Sequence, residues 1–215
     1  MTSLILSINC GKAMPFRDGA ASAINKLPVT GPVQVEPLGL TGDEQADLAV
    51  HGGVDKAVHL YPHDHYAWWG EMLNGPDLLG SPGAFGENVT LEGLTEDQIC
   101  IGDRWRFGTA ILEVSQGRQP CWKLDHRFSG APVMARMVKS RRCGWYCRVI
   151  EPGTVSTGEQ LELIERPYEG WTVARVFGLL IAGDHKRDRD SLEALGQVGA
   201  LAENWKRRQQ ALLAA

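Results

Sequence analysis

The stretch RWRFGTAILEVSQGRQPCWK, residues 104–123, combines two strand-like runs with a loop that can carry chemistry. Arg104–Phe107 and Ala110–Ser115 are short runs with the content of β-strands. The segment Gly117–Lys123 follows the second run and contains the thiol of Cys121. The stretch therefore predicts a reactive loop held at the end of a β-strand.

Short strand-like runs continue through most of the chain. They are Ser3–Asn9, Val33–Leu38, Ala57–Tyr61, Asn88–Leu91, Trp145–Ile150 and Gln160–Glu165. Glycine and proline punctuate the intervals between them, as at Gly102 and Pro152. Many short strands with frequent turns favour a β-barrel or sandwich over βαβ repeats. Two helices, His63–Leu73 and Ala131–Ser140, are predicted among the strands, so the fold class is mainly β with α.

The composition changes after Arg166, where strand-like runs give way to helical ones. Three helices are predicted there: Thr172–Ala182, Ser191–Leu195 and Ala200–Leu213. We therefore predict a β-domain over residues 1–166 and a three-helix domain over residues 167–215. A unit of about 45 residues buries too little surface to be stable alone. We expect it to pack on the β-domain or on a second subunit, which would make a homodimer.

The overall composition bounds the class of protein. Of the 215 residues, 43% are hydrophobic and 22% are charged, which is ordinary for a globular protein. A net charge of −4 argues against nucleic acid as a partner. The N-terminus lacks the pattern of a secretion signal, and no apolar run approaches the ~20 residues that span a bilayer. An odd count of five cysteines then predicts reduced thiols in a cytoplasmic protein.

The loop around Cys121 is the first segment with chemical potential. Arg118 and Lys123 place positive charge near the thiol, and such neighbours favour the thiolate that attacks or binds metal. Pro120 restricts the backbone immediately before the thiol. The alternative is a buried cysteine that acts as a small hydrophobic side chain.

A second segment, VHGGVDKAV at residues 50–58, combines two glycines with charged side chains. Gly52 and Gly53 allow a ligand to approach the backbone N–H groups closely. His51 and Lys56 suit a phosphate or a polar heterocycle, and Asp55 can accept a hydrogen bond or orient Lys56. The alternative is a glycine turn between strands with solvated charges.

Further candidates lie on two other loops. Glu87 and Asn88 stand between a glycine-rich turn and a strand, where they can bind the polar edge of a ligand or cap the turn. Lys12 follows the first strand, on a loop that can face a ligand.

The order of these motifs resembles that of a known family. HGGVDKAV at residues 51–58, FGENVT at 85–90 and RQPCWKL at 118–124 are together similar to the MOSC family, named for the C-terminal domain of molybdenum cofactor sulfurase. The tail resembles the three-helix domain of a bacterial branch that protects cells from N-hydroxylated purines. The resemblance covers essentially the whole chain and implies a MOSC-type β-barrel that binds a molybdenum cofactor (molybdopterin).

The resemblance also implies roles for individual residues. It places Cys121 as the protein's ligand to molybdenum, and it implies that cationic side chains hold the pterin phosphate. By position we assign Lys12, His51, Lys56 and Arg118 to that phosphate, and we count Gly52, Gly53, Glu87 and Asn88 among the cofactor contacts. His51 or Asp55 is assigned as a proton shuttle.

The expected activity is reduction of small N-hydroxylated compounds, such as hydroxylaminopurines, to amines. The sequence has no GxGxxG dinucleotide motif and no iron–sulfur cysteine pattern, so a separate flavoprotein-type electron donor is expected. Two alternatives remain open. One is a carrier that binds the cofactor without turnover of its own, and the other is a thiol enzyme that uses Cys121 with His51 as base.

Overall fold

The structure is a computed structural model, and it describes residues 1–46 and 52–215. The described strands are β1 (Thr2–Cys10), β2 (Met14–Arg17), β3 (Ala20–Ser22), β4 (Leu27–Pro28), β5 (Val33–Glu36), β6 (Gly39–Leu40), β7 (Val58–Pro62), β8 (Val89–Glu92), β9 (Arg104–Phe107), β10 (Ala110–Gly117), β11 (Trp145–Glu151), β12 (Gly153–Val155) and β13 (Gln160–Glu165). The described α-helices are α1 (Tyr66–Leu73), α2 (Trp122–Arg127), α3 (Val133–Ser140), α4 (Val173–Phe177), α5 (Arg189–Ala194) and α6 (Glu203–Ala214). Single 3-10 turns lie at Val54–Lys56, His63–His65, Asp77–Gly80, Asp184–Lys186 and Leu195–Gln197, and a π-helical turn continues α4 at Gly178–Ala182.

Seven strands close into a barrel. Their order is β13-β9-β10-β11-β7-β8-β1, and pairing of β1 with β13 completes the ring. The β7–β8 junction is parallel, while the other six junctions are antiparallel. Closure pairs both edges of each of these strands, which removes the exposed edges that an open sheet would leave.

The barrel encloses the core through inward-facing large side chains. Trp105 on β9 and Leu112 on β10 are fully buried, as are Val89 on β8 and Leu161 on β13. Alternation of buried and exposed residues along β9 matches a strand with one face on the core. Between Val114 and Gln116 the register of β10 against β11 shifts, and such a bulge bends the strand just before the loop that carries Cys121.

The C-terminal helices pack directly on the barrel. The Val173 N–H donates to the Ile99 carbonyl at 2.8 Å, and the Ala202 N–H donates to the Ser115 carbonyl at 3.0 Å. Trp205 on α6 is 1% exposed, and a Cβ atom added at Gly117 would lie 3.1 Å from its ring. One buried hydrophobic cluster therefore runs from the barrel into the helices.

The mainly β fold class with α-helices and the barrel are confirmed. The eight strand-like runs correspond to β1, β5, β7, β8, β9, β10, β11 and β13, and the three C-terminal helical runs correspond to α4 with its π-turn, α5 and α6. The Thr172 hydroxyl caps α4 by accepting the Arg175 N–H at 3.2 Å. The sequence prediction missed α2, which begins directly after Cys121, and the short β2–β3 hairpin. Within the described residues, no helix combines the length and apolarity needed to cross a bilayer.

Docking of the C-terminal helices can be tested at Trp205. Trp205→Ala removes a fully buried ring between α6 and the barrel, and we expect the free energy of unfolding to fall by about 3–5 kcal/mol. Urea denaturation followed by circular dichroism measures the change. Trp122→Ala is the matched control, because Trp122 is 44% exposed and should cost far less. Equal losses in the two variants would contradict the packing described here.

Candidate functional site

A pocket lies where several loops meet at one end of the barrel. Its empty space, with the open solvent at the mouth included, is about 530 Å3. The lining comes from the segment between β3 and β4, the 44–46 segment, β7, the turn before β8, the loop from β10 into α2, and β11. The lining residues are Ser22, Ala23, Ile24, Lys26, Glu44, Gln45, Ala46, His59, Phe85, Gly86, Arg118, Cys121, Lys123 and Tyr146.

Cys121 is placed on this pocket by the turn into α2. Its backbone is extended, and its carbonyl accepts the Leu124 N–H at 3.0 Å to begin the helix. The thiol is unpaired and partly exposed. Cys143 and Cys147 are fully buried instead, and burial raises the pKa of both thiols. Cys121 is thus the cysteine whose sulfur is available to the pocket.

Arg118 reaches the pocket from the end of β10. Its backbone N–H donates to the Gly144 carbonyl at 3.1 Å, which fixes the residue against the start of β11. The buried guanidinium contacts the Met137 sulfur at 3.6 Å and faces the phenol of Tyr146. Burial raises the pKa of Tyr146, so this phenol keeps its proton near neutral pH.

Two buried lysines supply further positive charge to the pocket. The Lys26 ammonium pairs with the Asp43 carboxylate, which also accepts the Gly11 N–H at 2.8 Å and the Asn88 amide at 2.8 Å. The Lys123 ammonium donates to the Ala21 carbonyl at 2.8 Å and thereby holds α2 against β3. Each ammonium group carries three N–H donors, and the partners among the described residues occupy one of them.

His59 on β7 lies beside Arg118 and Tyr146. Its ring centroid is 4.9 Å from that of Tyr146, with 32° between the ring planes. Burial first, and then the positive charge of Arg118, hold the pKa of His59 well below its usual value. The imidazole is therefore neutral near pH 7.

The glycine-rich turn of residues 83–86 closes the floor of the pocket. Gly83 has a φ of +87°, and a Cβ atom there would meet the Lys26 carbonyl at 2.5 Å. Gly86 has a φ of +77°, and its Cβ would meet the Ile24 side chain at 2.7 Å. Only glycine allows this turn to pack so closely on the segment that carries Lys26.

Glu87, a predicted cofactor contact, is fully buried behind this turn. Its carboxylate accepts hydrogen bonds from the Tyr66 hydroxyl, the Gly83 N–H at 2.9 Å, the Phe85 N–H at 3.0 Å and the Thr90 hydroxyl at 2.9 Å. The structure therefore gives Glu87 the turn-capping arrangement that the sequence left as its alternative. Its contacts hold the floor of the pocket in place, and Glu87 is not among the lining residues.

Asn88 and Asp55 are likewise not among the lining residues. The Asn88 side chain accepts the His59 N–H at 3.1 Å and donates to Asp43, so it positions two neighbours of the site. Asp55 pairs with Arg148 at 2.7 Å and accepts the Glu203 N–H at 3.1 Å. This carboxylate is committed to β11 and α6, and we do not retain it as a proton shuttle.

The remaining predicted residues are absent from the lining or lie outside the described residues. Lys12 is largely exposed and pairs at 3.0 Å with Glu44, which belongs to the lining. Gly53 precedes the 3-10 turn that contains Lys56. Neither Lys12, Lys56 nor the two glycines at 52 and 53 are in the lining that the described residues form. His51 falls among the residues that the structure does not describe.

The sequence analysis did not assign Lys26, His59 or Tyr146 to the site. These residues stand far apart in the chain and meet only when the barrel closes. An apolar strand that contains a histidine, as β7 does, was the available signal for His59. Among the described residues, no group of three His, Cys, Asp or Glu side chains could by itself hold a metal ion.

Comparison with known proteins identifies close relatives. The MOSC domain family model matches residues 47–162. The protein YiiM of Escherichia coli strain K12 is 37% identical over 206 residues, which cover 95% of this chain and 90% of YiiM. The crystal structure of YiiM from Geobacillus stearothermophilus superposes with a TM-score of 0.82 at 33% identity and covers 98% of this chain and 99% of that one. A protein named "Reductase" from Gibberella moniliformis is 41% identical over 177 residues, 80% of this chain but 31% of the fungal protein.

The turn-capping arrangement of Glu87 can be tested by Glu87→Gln. One carboxylate oxygen becomes an amide NH2 that cannot accept its hydrogen bonds, so we expect stability to fall by about 2 kcal/mol or more. The measurement is urea denaturation of the protein without ligands. Glu92→Gln is the control, since Glu92 is exposed on β8. A loss for Glu87→Gln no larger than that of the control would show that the four hydrogen bonds do not hold the turn.

Proposed function

Because the chain belongs to the MOSC domain family, we propose that its pocket binds a molybdenum cofactor and that it reduces N-hydroxylated compounds to amines. Hydroxylaminopurines are the substrates we favour. The observation that carries the proposal is the meeting of a partly exposed thiol, Cys121, with three buried cations in one pocket. The fungal relative bears the name "Reductase", which supports an oxidoreductase.

The residues of the pocket fit such a group. A thiolate is a soft ligand, and soft sulfur ligands suit molybdenum that is already held by dithiolene sulfurs. Lys26, Arg118 and Lys123 offer N–H donors and positive charge to the phosphate of a pterin. His59 adds a neutral imidazole ring to the lining. These donors match a large anionic group with a metal at one end.

The proposed phosphate contacts differ from those that the sequence suggested. Arg118 is kept, while Lys26 and Lys123 replace Lys12 and Lys56, because both replacements are buried in the lining. Lys12 stays a candidate for the mouth of the pocket through its ion pair with Glu44. His51 stays a candidate on the segment next to Ala46, which is part of the lining.

The net reaction is R–NHOH + 2e− + 2H+ → R–NH2 + H2O. When bound, the cofactor supplies the two-electron redox chemistry. The chain's own residues hold the metal through the Cys121 sulfur, neutralise the anionic part through Arg118 and the two lysines, and exclude water with Phe85. The Tyr146 hydroxyl keeps its proton and can donate a hydrogen bond to the substrate oxygen.

A separate protein must supply the electrons in this proposal. The sequence carries neither a dinucleotide-binding glycine motif nor an iron–sulfur cysteine pattern. A flavoprotein-type reductase is the partner we propose. Turnover with such a donor would separate this function from that of a carrier, which uses the same pocket to hold and deliver the cofactor.

The first test is elemental analysis of protein purified from a host that makes the cofactor. We expect close to one molybdenum per wild-type chain and little in Cys121→Ala, because the variant lacks the sulfur that binds the metal. Cys10→Ala is the matched control, since Cys10 is also partly exposed but lies outside the lining. Full loading of Cys121→Ala would refute the ligand assignment. Wild-type protein that contains no molybdenum but loses activity on treatment with a thiol alkylator would favour the thiol-enzyme alternative.

The reassigned phosphate contacts are tested by Lys123→Met. Loss of one charge-assisted hydrogen bond should weaken cofactor retention about tenfold or more. The readout is pterin released per chain after extended dialysis, measured by fluorescence of the oxidised pterin. Lys139→Met provides the control, because Lys139 is exposed on α3, away from the lining. Equal retention in both variants would remove Lys123 from the phosphate site.

A further inference from the structure

Glu44 is the one acidic side chain in the pocket lining that the described residues form. The cationic side chains of the same lining, Lys26, Arg118 and Lys123, are all buried. The Glu44 side chain is instead 45% exposed, so solvent reaches its carboxylate. The described lining is therefore positive where it is buried and negative where it is open to solvent.

Short contacts hold the Glu44 carboxylate in place. The Glu44 N–H donates to the Gly11 carbonyl at 2.8 Å, and one carboxylate oxygen accepts the Ala13 N–H at 2.8 Å. The other oxygen pairs with the Lys12 ammonium at 3.0 Å. The Ala13 hydrogen bond and then Lys12 lower the pKa of Glu44, so the carboxylate is ionised near neutral pH.

Lys12 neutralises this carboxylate only in part. Its side chain is 62% exposed, and it does not belong to the lining that the described residues form, whereas Glu44 does. An ammonium group is strongly hydrated, and ion pairs between exposed side chains are weak. A molecule that enters the pocket therefore meets the carboxylate of this pair.

The proposed cofactor would use the positive charge of the lining. Its phosphate and the Cys121 thiolate are anionic, and Asp43 already pairs with Lys26. Little positive charge then remains to attract a second anion, while the Glu44 carboxylate repels one. Such repulsion over a few ångströms is stronger at a protein surface than in bulk water.

We propose that Glu44 is a specificity-determining residue that admits uncharged N-hydroxylated bases and nucleosides and rejects the corresponding nucleotides. The inference rests on the proposed function. All three compounds present the same N-hydroxyl group, and only the nucleotide adds a phosphate, which carries a charge of about −1.5 to −2 near pH 7. A comparison of nucleoside with nucleotide isolates that charge, because the ribose is common to both.

The test measures the ratio of two KM values, that for a hydroxylaminopurine nucleoside monophosphate over that for the nucleoside. Molybdenum-loaded protein is assayed with reduced methyl viologen as electron donor. We expect a ratio of about ten or more in the wild type. Glu44→Gln keeps an oxygen that can accept the Ala13 N–H but removes the charge, so it should lower the ratio about three- to tenfold. Damage to the fold would raise both KM values and leave their ratio unchanged.

Asp18→Asn is the matched control. Asp18 forms an exposed ion pair with Arg17 at the same distance of 3.0 Å, outside the lining that contains Glu44. The control should keep the wild-type ratio. In about 1 M salt the screening length falls to about 3 Å, so the wild-type ratio should approach that of Glu44→Gln. Equilibrium dialysis of the two amine products makes the same comparison without turnover.

Three results would overturn the role of Glu44. One is a wild-type protein with equal KM values for nucleotide and nucleoside, and another is a Glu44→Gln protein that keeps the full ratio. The third is an equal drop of the ratio in Asp18→Asn, which would indicate an effect of net charge alone. Molybdenum-loaded wild type that reduces neither base, nucleoside nor nucleotide would instead refute the proposed function, and the role of Glu44 with it.

Discussion

Asn88, which directly precedes β8, joins this strand to β7 and β1 at the end of the barrel that forms the pocket. Its backbone N–H donates to the His59 carbonyl on β7, and its backbone carbonyl accepts the Asn9 N–H of β1. Its side-chain amide accepts the His59 N–H and donates to Asp43 and to the Asn9 carbonyl. This is where β7 and β8 run parallel and the regular antiparallel ladder is interrupted. That one amide contacts both the His59 backbone and the Asp43 partner of Lys26. An aliphatic side chain at position 88 would leave several buried polar groups unpaired at once.

Positive charge is concentrated in the pocket at a cost to the fold. Taking a lysine or arginine out of water is unfavourable unless opposite charge and hydrogen bonds compensate. Asp43 compensates Lys26, and the Ala21 carbonyl partly compensates Lys123. Among the residues that the structure describes, the Arg118 guanidinium contacts only the softer partners Met137 and Tyr146. An anion that entered would relieve this imbalance, so its binding should also stabilise the folded protein by mass action.

The sequence could predict the parts of the site that lie within one short segment. Arg118 and Cys121 follow a strand, and a loop at a strand end is a regular position for functional groups. Lys26, His59 and Tyr146 could not be predicted in the same way, because their proximity depends on pairing between strands distant in the chain. For Glu87 the sequence singled out the residue but could not decide its role. A carboxylate beside a glycine turn suits a ligand or the turn itself, and only the observed donors at Gly83 and Phe85 decide between them.

The C-terminal helices are linked to the pocket through Glu96, a residue outside both the helices and the pocket lining. The buried Glu96 accepts the Gly144 N–H at 2.6 Å with one carboxylate oxygen, contacts His65 at 2.7 Å with the other, and accepts the Ala174 N–H of α4 with its carbonyl. The Gly144 carbonyl in turn accepts the Arg118 N–H. The positions of α4, the turn at Gly144 and Arg118 are therefore mechanically connected. Since Arg118 is central to the proposed anion site, the helices act as a structural support for the pocket as well as a cover for the barrel.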